Sequence, residues 1–79
     1  MKLTMLSLKG VEYQGEVESF NVKTKAGEIT ILDHHRSLIT ILEQGPATIT
    51  TAAGETITRQ INSGFLEMNP ANHLNVLVD

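Results

Sequence analysis

The tripeptide Asp33-His34-His35 is the densest set of potential ligands in the sequence, a carboxylate followed by two imidazoles, donor types that zinc and manganese accept. Neighbouring side chains diverge, so the two histidines do not converge easily on one ion, and a chain of this length cannot supply the further Asp ligands of a two-domain metal cleft. His73 could add an imidazole, but it opens a terminal apolar run, where a solvated role is the ordinary one. Nucleophilic catalysis needs a Ser or Thr beside a positioned base. The many Thr residues here alternate with Ile and Val, and β propensity accounts for them. Glu12, Glu16 and Glu18 cluster, yet Glu16 and Glu18 share one face of an extended segment and read as a solvated edge, not as an acid and base pair. No Gly-x-x-x-x-Gly-Lys or Gly-x-Gly-x-x-Gly phosphate loop occurs. The expectation is a chain without catalysis, metal, cofactor or small-molecule substrate.

Composition narrows the class further. The 79 residues are 41% hydrophobic and 19% charged, which suits one globular domain, residues 1–79. A chain this short buries only about 60% of the surface it exposes when unfolded, so docking onto a partner is a natural supplement to its stability. The net charge is -3, and the six Lys and Arg residues are scattered from Lys2 to Arg59, which argues against a nucleic-acid groove. There is no Cys, hence no disulfide and no thiolate chemistry, and no apolar stretch approaches the roughly 18 residues of a membrane span. An acidic all-β domain of this size also fits a swinging-arm carrier of the lipoyl or biotinyl kind, with Lys25 in Thr24-Lys25-Ala26 as the modified residue. Thr24 stands where such carriers place an acid, and no symmetric second half follows, so a solvated turn lysine is favoured.

Short runs rich in Val, Ile, Thr and Leu, separated by Gly and Asn breaks, predict an all-β fold of about eight strands. Strands are expected at Lys2–Leu8, Glu12–Lys25, Glu28–Leu32, Leu38–Leu42, Ala47–Thr51, Glu55–Ile61, Phe65–Met68 and His73–Val78. In the second, Tyr13 and Val17 fall out of phase with Phe20 and Val22, which predicts a bulge near Gly15-Glu16. Leu38–Leu42 is continuously apolar and is expected to be buried on both faces, in the core or at an interface. The core is expected to hold Leu3, Met5, Phe20, Val22, Ile31, Ile49, Ile57 and Leu66.

Several short segments, in order and spacing, resemble the N-terminal β-sandwich of the epsilon subunit of F-type ATP synthases, called delta in mitochondria. They are Lys2-Leu3-Thr4, Tyr13-Gln14-Gly15-Glu16-Val17-Glu18-Ser19, Gly27-Glu28-Ile29, and Ile31-Leu32-Asp33-His34-His35-Arg36-Ser37-Leu38-Ile39-Thr40. The last of these is similar to the family's Gly-Ile-Leu-Pro-Gly-His-Ala-Pro-Leu-Leu-Thr. Ser63-Gly64-Phe65-Leu66-Glu67 matches its Gly-Gly-Phe-Leu-Glu, and Asn75-Val76-Leu77-Val78-Asp79 its Val-Thr-Val-Leu-Ala-Asp. Thr30 replaces a Gly, Asp33-His34 replaces Pro-Gly and Arg36-Ser37 replaces Ala-Pro, so a differently shaped contact loop is expected.

The resemblance implies a flattened β-sandwich of about eight to ten mostly antiparallel strands. It implies a non-catalytic rotor component on the cytoplasmic face of a bacterial plasma membrane, or the equivalent side of another energy-coupling membrane. The gamma subunit is the implied partner at His35, Ser37, Leu38 and Thr40. The loops of the c-ring are implied at Glu28, Asp33, His34 and Arg36, with the Gly27-Glu28 turn and the Asp33–Arg36 loop at one end of the sandwich. Family members commonly continue into a helical hairpin that inhibits ATP hydrolysis and in some binds ATP. The sequence stops at Asp79, as a short form or an excised domain, so coupling without inhibition and without ATP binding is expected.

Overall fold

Alternation is the rule that builds this chain, because an inward apolar residue at every second position lets each strand lend one face to a common core. The computed structural model describes residues 1–79 and contains eight strands: β1 Lys2–Ser7, β2 Gly10–Thr24, β3 Gly27–Leu32, β4 Leu38–Leu42, β5 Gly45–Thr51, β6 Thr56–Ile61, β7 Gly64–Met68 and β8 His73–Val78. Each expected strand is present, with ends displaced by two residues at most.

The strands form one sheet folded on itself. The neighbours run β1-β8-β7-β4-β2-β5-β6, with β3 on the other side of β2, and β1 pairs with β2 as well as with β8. β1, β8, β7, β4 and β2 therefore close a circuit, and two strands, β3 and β6, keep a free edge. Pairing is antiparallel except between β1 and β8.

The bulge in β2 lies later than the sequence pattern suggests. The β2–β5 register slips between Val17 and Ser19, so Val17 and Phe20 both point inward, although three positions separate them. Gly15 stays in the β1–β2 ladder opposite Leu3, and the Tyr13 ring lies across it, its hydroxyl oxygen 3.3 Å from where a Cβ would stand.

Fifteen buried apolar residues make the core, with Phe20, Leu3, Met5, Ile31, Leu42, Ile49, Leu66, Met68 and Leu74 the largest fully enclosed. Seven of the eight expected core residues are in it; Ile57, on edge strand β6, is half-buried and packs against it. The core of the chain covers only one face of Leu38–Leu42. Leu42 is enclosed and Leu38 half-buried, but Ile39 is 71% and Ile41 56% exposed. β4 has only one layer to cover, and its other face meets solvent.

Gly64 owes its identity to close approach, since a Cβ there would collide with the Leu77 carbonyl oxygen of β8. Gly64→Ala should therefore destabilise by about 1–3 kcal/mol through forced separation of β7 and β8. Phe20→Ala should cost about 3–5 kcal/mol, a large share of a small domain's stability. Denaturant unfolding of both variants checks this packing, and a Phe20→Ala midpoint equal to wild type would overturn it.

Candidate functional site

The loop from Asp33 to Ser37 joins edge strand β3 to β4 and is anchored at its start by charge. Asp33 Oδ1 accepts hydrogen bonds from the Met1 α-ammonium at 2.6 Å and from Asn72 Nδ2 at 2.9 Å. Asn72 Oδ1 in turn accepts the His34 N–H at 2.7 Å, and Glu16 stands 3.6 Å from the same ammonium. His34 has φ 59, in the left-handed region that glycine enters freely and most residues avoid. The clamp from Asn72 holds it there. His34 thus takes the left-handed step that a glycine would take freely.

His35 Nδ1–H donates to the Arg36 carbonyl at 2.8 Å, which turns this ring away from Asp33. His34 Nε2 lies 3.7 Å from Asp33 Oδ2 while His35 Nδ1 is committed to a backbone carbonyl, so the three adjacent side chains do not gather around one ion.

Beyond the loop, the two layers part along the β3–β4 edge. A groove of about 270 Å³ opens there, lined by Ile29, Leu38 and Thr40, with His35, Arg36 and the Thr24–Ala26 turn around them. It gathers His35, Leu38 and Thr40 and adds Arg36, while Ser37 is exposed outside it. The turn is preorganised: Thr24 Oγ1 donates to the Gly27 carbonyl at 2.7 Å and accepts the Ala26 N–H at 3.1 Å.

Glu28 follows this turn, exposed and opposite Lys23, and neither Glu28 nor Arg36 has an ionic partner within 4 Å. Asp33 and His34 are not beside Glu28. The length of β3 separates Glu28 from Asp33, about 17 Å of extended chain, and the expectation of one polar end is corrected accordingly. The turn and Arg36 face one groove, whereas Asp33 and His34 belong to the clamp around Met1. Sequence patterns gave no sign of that clamp, because its partners lie 32 and 39 positions apart.

The sequence profile described as "ATP synthase, Delta/Epsilon chain, beta-sandwich domain" matches residues 1–79. The chain belongs to that family. An ATP synthase epsilon chain of Streptomyces avermitilis is 33% identical over 67 residues, 85% of this chain and 53% of the relative. That of Aquifex aeolicus is 44% identical over 45 residues, 57% of this chain and 34% of the relative. The chain thus spans at most about half the length of these curated relatives. A chain of the Euglena gracilis mitochondrial ATP synthase, resolved by cryo-EM with OSCP, F1 and the c-ring, superposes with TM-score 0.90 at 21% identity, covering 96% of this chain and 48% of the other. One from the central stalk and c-ring of the Tetrahymena thermophila mitochondrial enzyme gives 0.81 at 15%, covering 99% and 62%. Both share the fold. Lys25 does sit in a turn, its Nζ 3.7 Å from Glu43, but family membership over the whole chain leaves the carrier reading without support.

The clamp is testable through pH. Its hydrogen bond to Asp33 raises the Met1 ammonium above the ordinary 8.0, and that bond, with Asn72, lowers Asp33 below the ordinary 3.8. Its stabilisation is therefore complete between those two ordinary values. It is lost as pH falls through the depressed Asp33 value and as pH rises through the elevated amine value. Thermal unfolding midpoints of Asp33→Asn against pH should lack the acid limb and show a weakened alkaline one, since Glu16 stays beside the ammonium, and curves parallel to wild type would remove the clamp from the account.

Proposed function

We propose that this chain is a non-catalytic component of the central rotor of an F-type ATP synthase, where it docks the gamma subunit to the c-ring and helps couple ion flow to ATP synthesis. The observation that carries the reading is the family match over all 79 residues. The fold suits the role. A body that passes torque between two partners must deform little under load, and here five strands close a hydrogen-bonded circuit that leaves two free edges. The role asks for surfaces, not for chemistry.

The β3–β4 groove is the gamma-facing surface in this reading. Leu38 and Ile29 supply apolar floor, Thr40 and His35 supply hydrogen-bonding groups, and Ser37 lies just outside. An apolar centre with a polar rim is the usual anatomy of a protein interface. Glu28 and Arg36, one of each charge and both free of internal partners, are the side chains offered to the polar loops of the ring. Asp33 and His34 act indirectly, by fixing the loop from which Arg36 projects. The rotor sits on the cytoplasmic face of a bacterial plasma membrane or its equivalent, held there through the ring.

Co-purification with gamma should be abolished by Leu38→Asp while the isolated domain still unfolds cooperatively. Retained binding would move the interface elsewhere. In vesicles carrying the reconstituted enzyme, Glu28→Lys and Arg36→Glu should each weaken proton-driven ATP synthesis, more at low ionic strength than at high, because exposed charge pairs are screened by salt. Indifference at every salt concentration would remove these residues from the ring contact.

A further inference from the structure

Met1 is tied into the fold on every side. Its side chain belongs to the core, and the residue is 6% exposed. Its carbonyl accepts the Val17 N–H at 2.9 Å, and the next N–H along the chain, that of Lys2, donates to the Asn72 carbonyl at 3.1 Å. The backbone therefore delivers the α-nitrogen to one place, where two carboxylates meet it, Asp33 Oδ1 at 2.6 Å and Glu16 Oε1 at 3.6 Å. Apart from the His34 ring, 3.7 Å from Asp33 Oδ2, no other basic group lies within 4 Å of either carboxylate.

The contact does not end at Asp33. The oxygen that takes the ammonium also takes Asn72 Nδ2 at 2.9 Å, and Asn72 Oδ1 fixes the His34 N–H at 2.7 Å. Asn72 is itself held, because its N–H donates to the Asn69 carbonyl at 3.1 Å while Asn69 Oδ1 accepts the N–H groups of Ala71 at 2.9 Å and His73 at 3.1 Å. His34 and Asn72 both have positive φ, 59 and 64. A terminal charge is thus linked, through the β7–β8 turn, to the loop that carries Arg36.

We propose that the Met1 α-amine is a modification-sensitive site: the β3–β4 loop takes its observed shape only while this amine is free and cationic, and acylation of the amine, as by a formyl or acetyl group, releases the loop. Acylation turns the ammonium into an amide. A new N–C bond forms, the charge is lost, and a single N–H remains on the nitrogen. The acyl group also adds bulk beside an oxygen that lies 2.6 Å away. Asp33 and Glu16 keep their charges with no ammonium to meet them. Hydrolysis reverses the change: water cleaves the N–C bond, formate or acetate leaves, and the nitrogen takes up a proton to become the ammonium again. A peptide bond to a preceding residue would act as the acyl group does, because it too removes the charge. The site stands whether or not the chain serves in a rotor.

Chemical synthesis supplies the 79-residue chain with a free, an N-formyl or an N-acetyl terminus. A control is acetylated on Lys9 Nζ, an exposed amine without an ionic partner within 4 Å. Hydrogen exchange followed by NMR should show the His34 N–H exchanging about tenfold or more faster in both α-acylated chains than in the free one, with the Lys9 control unchanged. The amides of β2 and β5 should keep their protection, which separates release of the loop from global unfolding. In Asp33→Asn, α-acetylation should change His34 exchange by less than about twofold, since the link is already cut. Should the acylated chains fail to fold, labelling decides. An amine-reactive ester should modify the Met1 amine of the folded free chain at least about tenfold more slowly than that of Asp33→Asn, because Asp33 holds the amine protonated. Unchanged His34 exchange on α-acylation, an equal change in the Lys9 control, or equal labelling rates would each overturn the proposal.

Discussion

The fold hangs on β2. Its 15 residues pair in turn with β1, β5, β3 and, at Thr24, β4, so one strand belongs to both layers. A straight strand could not do this, because its inward face would leave the core where the layers part. The slip between Val17 and Ser19 resolves the conflict: Tyr13 and Val17 face the core in one phase, Phe20, Val22 and Thr24 in the other. That phase change lets β2 keep an inward face in both layers as it bends from one to the other.

A second constraint follows at the free edge. β3 bonds to β2 alone, and the loop after it must return to β4 without a sheet to guide it. The Met1 ammonium, Asp33 and Asn72 supply that guidance, drawing the start of the loop toward the beginnings of β1 and β8. His34 can then hold a left-handed conformation that costs a non-glycine residue about 1–2 kcal/mol, because the surrounding bonds over-determine it. The same polar cluster that looked like a metal site in the sequence is spent on loop geometry.

Much of this was legible in the sequence, and the failures lie where a local pattern does not reach. Period-two patterns reveal which residues share a face, which is why the strands and seven of eight core positions could be read directly. They do not reveal whether the second face of a strand is covered. Leu38–Leu42 is apolar at four of five positions, but only Leu38 and Leu42 turn toward the core, and nothing local distinguishes Ile39 and Ile41 from buried residues. Bulge position is similarly ambiguous, since Gly15 invites a break that the Tyr13 ring instead repairs. The clamp on Asp33 was invisible because it depends on a chain terminus and on Asn72, both far away in sequence.

The excess of apolar residues on the outer face of β4, β7 and β8 carries a further meaning. A domain of 79 residues has one core, already filled by fifteen enclosed side chains, and it contains no unpaired buried side-chain polar atom that would call for repacking. Ile39, Ile41, Phe65 and Leu77 therefore contribute little to the stability of the isolated chain, and polar residues would serve the outer surface of the strands equally well. Their burial by another molecule would release about 25 cal/mol for each Å² of apolar surface removed from water, a gain open only to the assembly. Core and outer residues draw on opposite faces of the same strands, so burial of the outer face by a partner would also restrain the strands that close the circuit through β2.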